Sequence, residues 1–205
     1  MKINNNEKKL IEEAVREAEL KTSGEIVPVI LRQSDFYPAA HFRLALVMGV
    51  FLSLLTYTFY HFEDPILLIW IQFPGMILGY LLAYFPTLKR VFTTKSEMNE
   101  ETHQRAIEIF HEHRVSMTKD RTGIILYVSL LERKVEVLAD SGINQKVSKD
   151  FWETLVAKFI LNIRNKKLVF GMCDAISECG KSLEASFPKP IDNQNEISNE
   201  LITDL

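Results

Sequence analysis

Residues 44–60, LALVMGVFLSLLTYTFY, and residues 65–88, PILLIWIQFPGMILGYLLAYFPTL, contain no Asp, Glu, Lys, Arg or His. As helices these runs of 17 and 24 residues rise about 26 and 36 Å, which brackets the roughly 30 Å hydrocarbon core of a bilayer. Both read as transmembrane helices. The competing reading is a pair of buried helices in a soluble protein, but uncharged apolar runs of this length seldom occur in soluble cores. The connection His61-Phe62-Glu63-Asp64 is long enough only for the tip of a hairpin. The chain therefore enters and leaves the membrane on one side.

The flanks set the orientation. Arg32 and Arg43 precede the first run and Lys89, Arg90 and Lys95 follow the second, whereas the tip carries Glu63 and Asp64 beside His61. By the positive-inside rule both termini are cytoplasmic, which makes this a two-span protein of the inner (plasma) membrane. Pro74 and Gly75 lie within the second run and Pro86 near its end, where a membrane helix tolerates a kink. Gly75 and Gly79 have the small-xxx-small spacing through which a span can pair with other spans. Tyr57, Tyr60, Trp70, Tyr80 and Tyr84 include positions suited to an interfacial belt. The polar start Met1-Lys2-Ile3-Asn4-Asn5 is unlike a cleaved signal peptide, so the first span is expected to act as the targeting signal.

The average composition conceals this division. Hydrophobic residues make up 47% of the chain and mean hydropathy is +0.00, but outside the hairpin the sequence is more polar and sufficient for one compact domain. A net charge of −3 with scattered Lys and Arg argues against nucleic acid as a partner. Cys173 and Cys179 are the two cysteines. Six residues apart on a helix, they stand about 9 Å apart, too far for a disulfide.

On either side of the hairpin the periodicity is that of an α/β domain. Asn5 or Asn6 can cap a helix with Leu10, Ile11, Ala14, Val15 and Ala18 on one stripe, ending at Lys21-Thr22-Ser23-Gly24. Glu25–Leu31 is a strand, and Pro28 within it removes one ladder donor, which predicts an edge or a bulge there. After the hairpin an amphipathic helix runs from Thr94 to about Val115. Gly123–Ser129 and Lys134–Asp140 are two further strands. Ser148 caps a helix to about Asn165, and a last helix covers about Leu168–Ser186. The soluble domain is thus built from residues 1–41 and 91–188, with the hairpin at 42–90 inserted between its first strand and the others. Residues 189–205 carry Asp192, Glu196, Glu200 and Asp204 against one Lys and show no core periodicity, so a disordered tail is expected.

Thr22-Ser23-Gly24-Glu25-Ile26, the segment Thr122–Ser129, Glu132-Arg133, the segment Val137–Ile143, and Trp152 together resemble the TPM domain family, closest to its bacterial membrane-bound branch. The likeness extends over roughly residues 7–188. It implies a small mixed sheet of about four strands with helices on both faces. It also implies candidate activities: plant thylakoid members are linked to photosystem repair and acid phosphatase activity, some members bind calcium, and an animal member is an auxiliary subunit of a receptor channel. The better-known branch has an acidic residue or Asn directly before the glycine that opens the central strand, and a Gly-x-Gly after the next strand. Here those places hold Thr122 and Asp140-Ser141-Gly142, with Asp120 two residues before Thr122.

Asp120, Glu132 and Asp140 are the candidate metal ligands, because oxygen ligands converging from strand ends can hold a hard cation, with calcium the candidate cofactor. The competing reading is that Asp140 caps a turn while Glu132 and Arg133 sit in a solvated hairpin. Glu108, His111, Glu112 and His113 look metal-like, but one Glu-x-x-His does not make a di-iron site and His-Glu-x-x-His is absent. Gly180-Lys181-Ser182 lies inside a helix and lacks the first glycine of a phosphate-binding loop. Two functions follow: a non-enzymatic interaction or assembly factor for membrane proteins, or an acid-phosphatase-like phosphate-ester hydrolase, calcium- or magnesium-assisted, using Asp120, Glu132 and Asp140. The hydrolase requires those carboxylates to converge.

Overall fold

The computed structural model describes residues 3–60, 65–190 and 195–205, so the hairpin tip at 61–64 and Asp192 of the tail lie outside the described residues. The chain divides into two compact units, Met1–Ser34 with Glu101–Leu205, and Asp35–Glu100.

In the first unit, helix α1 (Asn5–Glu19) leads into strand β1 (Glu25–Leu31). Asn4 caps α1, one residue before the expected position. Its side chain accepts from the Glu7 amide, and the Glu7 carboxylate accepts from the Asn4 amide, a reciprocal capping box. Strands β2 (Gly123–Ser129) and β3 (Lys134–Ala139) follow, then helices α6 (Ser141–Asn144), α7 (Lys149–Arg164) and α8 (Leu168–Ser186), and a short strand β4 (Ile202–Thr203). The sheet order is β3-β2-β1-β4, with β1 parallel to both β2 and β4 and β3 antiparallel to β2. The predicted strands at 25–31 and 123–129 have these bounds. The third stops at Ala139 because Asp140 turns out of the strand to cap α6.

Side-chain alternation covers both sheet faces. Ile26, Ile30, Ile124, Leu126 and Val128 pack with α1, α7 and α8. Val27, Val29, Leu31, Ile125 and Tyr127 pack on the opposite face with Ala106 and Ile109 of α5 (Lys95–Glu112). This two-sided burial explains the nearly continuous apolar character of β1 and β2. The Glu25 amide donates to Thr122 O on the β2 side, so the amides of residues 26, 28 and 30 face the other edge. Pro28 therefore lacks its donor where β1 has no continuous neighbour, because β4 pairs only with Val29 and Ile30.

The tail differs from its expected disorder. Residues 195–205 run beside β1 and form β4, and Leu201 is buried in the main core cluster. Its charges concealed this, because the docking is made by backbone and by scattered apolar side chains, Ile197, Leu201, Ile202 and Leu205, rather than by a periodic face.

The second unit contains helices α2 (Pro38–Phe59), α3 (Ile66–Leu82) and α4 (Pro86–Phe92). Helix α2 is long and apolar enough to cross a membrane, whereas the second apolar run is broken: α3 and α4 are bent by 110°. Pro86 accounts for the break. It disfavours helical backbone at Phe85, which is extended, while itself fitting the first turn of α4. Arg43 near the start of α2 forms a two-toothed pair with Glu97, at 2.6 and 2.8 Å. The guanidinium holds the Glu97 carboxyl down at about 2.

Gly75 and Gly79 are occupied within the hairpin rather than offered to other spans. A Cβ on Gly79 would stand 2.5 Å from Leu44 O and 2.8 Å from the Ala45 Cα, so α2 and α3 approach backbone to backbone. Gly79→Val is expected to force these helices apart at a cost of about 1–3 kcal/mol. Thermal unfolding of the full chain in detergent should show the loss, and an unchanged midpoint would contradict this packing.

Candidate functional site

The register of β2 and β3 separates the three candidate ligands. Ser129 pairs with Lys134 at one end and Ile124 with Ala139 at the other. Glu132 therefore lies in the turn at the first end and Asp140 beyond the second, roughly 20 Å away at strand rise. Asp120 precedes β2 at the Asp140 end. The expectation that Asp120, Glu132 and Asp140 surround one cation is thus corrected, because consecutive antiparallel strands place their connecting turn and their free ends at opposite edges.

At the Asp140 end, one carboxylate oxygen, Oδ1, accepts from the Ser141 amide at 2.5 Å and from the Ser141 hydroxyl at 3.1 Å. Oδ2 is buried without a hydrogen bond and stands 3.7 Å from Arg121 Nη1. Gly142 permits the close approach of the preceding loop, since a Cβ there would lie 2.5 Å from Asp120 O and 2.7 Å from Arg121 O. Thr122 is committed to the framework: its amide donates to Thr118 Oγ1 and its hydroxyl to Ser23 O. Asp120 is exposed. Calcium takes six to eight oxygen ligands. Here one Asp140 oxygen is engaged by Ser141, and the other faces a guanidinium that already supplies positive charge. These residues do not fit a calcium ion in this arrangement.

Glu132 belongs to a buried polar knot at the carboxyl ends of β1 and β2. Its Oε1 accepts from the Ser34 amide at 2.8 Å, and its Oε2 accepts from the Ser129 hydroxyl. Ser34 Oγ lies 2.8 Å from the Tyr127 hydroxyl, and burial pushes the Tyr127 phenol above its ordinary range. The knot closes the β2–β3 turn against the segment leaving β1, and leaves no opening beside the carboxylate, which is 3% exposed.

Two further carboxylates, Glu19 and Glu25, are buried where the tail docks. Glu19 accepts from the Ile26 amide at 2.8 Å and from Asn199 Nδ2. Glu25 accepts from the Glu196 and Ile197 amides at 3.2 and 3.3 Å. Burial pushes Glu19 up to about 8 and raises Glu25 in the same direction. Lys189 donates to Glu19 O at 2.9 Å. The signal for Glu19 was present in the spacing: Ile11, Val15 and Glu19 recur every four residues, placing a carboxylate on the core stripe of α1.

The metal-like residues of α5 do not converge. Glu108 accepts from Arg105 at 2.9 Å, and His111 and His113 are exposed. Among the described residues no group of three or more His, Cys, Asp or Glu is arranged to hold a metal ion.

A mixed four-stranded sheet between helical layers, carrying an apolar helix pair after its first strand, defines a small α/β domain with an inserted hairpin. Residues 88–182 match the model of the TPM domain family. That match includes most of α4, all of β2, β3, α5, α6 and α7, and most of α8; β1, α2 and α3 precede it. The fold is similar to the NMR structure of the BA42 protein from the psychrophilic bacterium Bizionia argentinensis, with 22% identity, a TM-score of 0.63, and 99% of this chain and 96% of that chain covered. No curated protein matches the chain.

Proposed function

We propose that this chain is a membrane-anchored cytoplasmic TPM-like domain that acts as a non-enzymatic interaction or assembly factor for other membrane proteins. The observation carrying the anchor is the apolar exterior of the helix pair. Leu46, Val50, Leu54, Ile69, Phe73 and Ile77 are all more than half exposed, an extended apolar surface of the kind that hydrocarbon would cover. Helix α3, continued by the bent α4, supplies the second crossing in this reading. Lys89 and Arg90 then fall at the cytoplasmic interface, with both termini on the same side in the inner membrane.

The separation of Glu132 from Asp140 weighs against the hydrolase, whose three carboxylates had to meet. The interaction reading instead uses the surface of the α/β domain on the cytoplasmic side. A photo-crosslinking amino acid placed singly at Met117 and Leu161, which are 73% and 57% exposed, should trap discrete integral membrane proteins in cells. Adducts with no membrane protein from either position would overturn the interaction role. Alkaline extraction that releases the full chain from membranes would overturn the anchor.

A further inference from the structure

Helix α1 carries two stripes. Ile11, Val15 and Ala18 enter the core, while Leu10, Ala14, Glu17 and Lys21 line the wall of an external groove whose other wall is α8. Small residues allow the groove to form: Gly180 packs so closely on Ala18 that a Cβ would lie 2.7 Å from the Ala18 Cβ. Two adjoining cavities of about 560 and 420 Å³ share Ala14, Glu17 and Cys173. From residue 7 to residue 21 the groove follows about four turns of helix, roughly 21 Å.

Exposed apolar side chains rim it, and no segment among the described residues covers them. Leu10, Leu20 and Phe170 are 54%, 64% and 60% exposed, and they rim a continuous depression rather than standing singly. Its charge is uneven. The larger cavity is lined by Glu7, Glu13 and Glu17 and by no cation. Lys21 and Lys181 line the other cavity together with Glu184, and Lys167 stands 5.9 Å from the Phe170 ring at the far end. The tail is not the occupant, since it is committed to β1. An anionic lipid surface is disfavoured by the three carboxylates.

We infer that this α1–α8 groove docks an amphipathic helix whose flanks carry Lys or Arg, set against Glu7, Glu13 and Glu17. The inference rests on the interaction role proposed above and gives it a chemical class of partner. Cytoplasmic segments next to membrane spans are enriched in Lys and Arg, and an apolar helix face fits a groove of this length and composition.

Cys173 makes the test direct. It is half-buried on the groove floor, with Sγ 3.7 Å from Leu10 O, whereas Cys179 is 0% exposed. The full chain in phosphatidylcholine nanodiscs is alkylated with N-ethylmaleimide in the presence of an 18-residue Leu/Lys amphipathic helix, or the same helix with Glu replacing Lys. The Lys helix should slow Cys173 alkylation at least tenfold and saturably, and the Glu helix should not. The triple variant Glu7→Lys, Glu13→Lys, Glu17→Lys should reverse that preference, and because lipid partitioning of the peptides is common to both proteins, the reversal isolates the groove. No protection, or equal protection by both helices, overturns the inference. So does concentration-dependent self-association that shields Cys173, which would assign the groove to a second copy. Failure of the helix to protect while Met117 adducts persist would sink the groove and leave the interaction role standing. The opposite pattern would sink the role and leave the groove.

Discussion

The domain will lose stability as pH rises from 5 to 9, and Glu19→Gln will remove most of that loss. Glu19 titrates near 8 in the folded chain against an ordinary 4.5, chiefly because burial disfavours its charged form. The unfolded chain therefore releases this proton first. A carboxyl whose folded value is raised contributes its full stabilisation below about 4.5 and loses it progressively as pH climbs through 8. The difference corresponds to on the order of 3–5 kcal/mol. Glu25, raised in the same direction by burial, adds to the trend. Among the neighbouring charges, Glu196 opposes ionisation at Glu25, while Lys189 favours it at both carboxyls.

The loss should appear first in the tail, because both carboxyls hold it. Ionised Glu19 would draw water toward Asn199, and ionised Glu25 toward the Glu196 and Ile197 amides, loosening β4 before the sheet opens. Hydrogen exchange at Ile202 and Thr203 should accelerate between pH 6 and 9 ahead of amides in β2. Glu19→Gln retains an oxygen for the Ile26 amide and carries no charge, so its melting profile should fall much less steeply over that range, with the remaining slope due to Glu25. A variant that tracks the wild type, or a tail whose exchange ignores pH, would contradict the assignment.

How far the sequence led depends on which interactions define each feature. The two central strands were legible because burial on both faces leaves continuous apolar runs, and α2 because its length and apolar composition stand out as one uncharged run. The break at Pro86 was legible in principle, since Pro there fixes the preceding residue; the uncharged run from 65 to 88 masked it. The tail was not legible, because β4 consists of two residues and depends on carboxylates nearly 180 residues away. The candidate ligands were misjudged for a topological reason. Three acids near strand ends are close in the sequence, but only strand direction decides which ends they share, and the antiparallel β2–β3 pair sends Glu132 and Asp140 to opposite edges.

Glu132→Ala should therefore act on folding rather than on cation binding, with a cost of about 2–4 kcal/mol. The carboxylate satisfies the Ser34 amide and the Ser129 hydroxyl, and Ser129 is 0% exposed. Alanine would strand the Ser34 amide in a site too closed to hydrate and take from the Ser129 hydroxyl its carboxylate acceptor, leaving it Tyr127; the desolvation penalty for a buried orphan is about 1–3 kcal/mol, and the lost charge-assisted bond adds to it. Glu132→Gln keeps an acceptor for Ser34, and the Ser129 hydroxyl can rotate to accept from the new amide, so its cost should be about 1 kcal/mol or less. Asp140→Ala should also be mild, about 1 kcal/mol, because Oδ2 makes no hydrogen bond and the main loss is the cap on a four-residue helix. Melting curves of the three variants, with and without millimolar calcium, separate the alternatives. Separate sites give Glu132→Ala as the most destabilised variant and calcium-independent midpoints throughout. One shared cation site would give a wild-type midpoint raised by calcium, with that increase lost in both alanine variants.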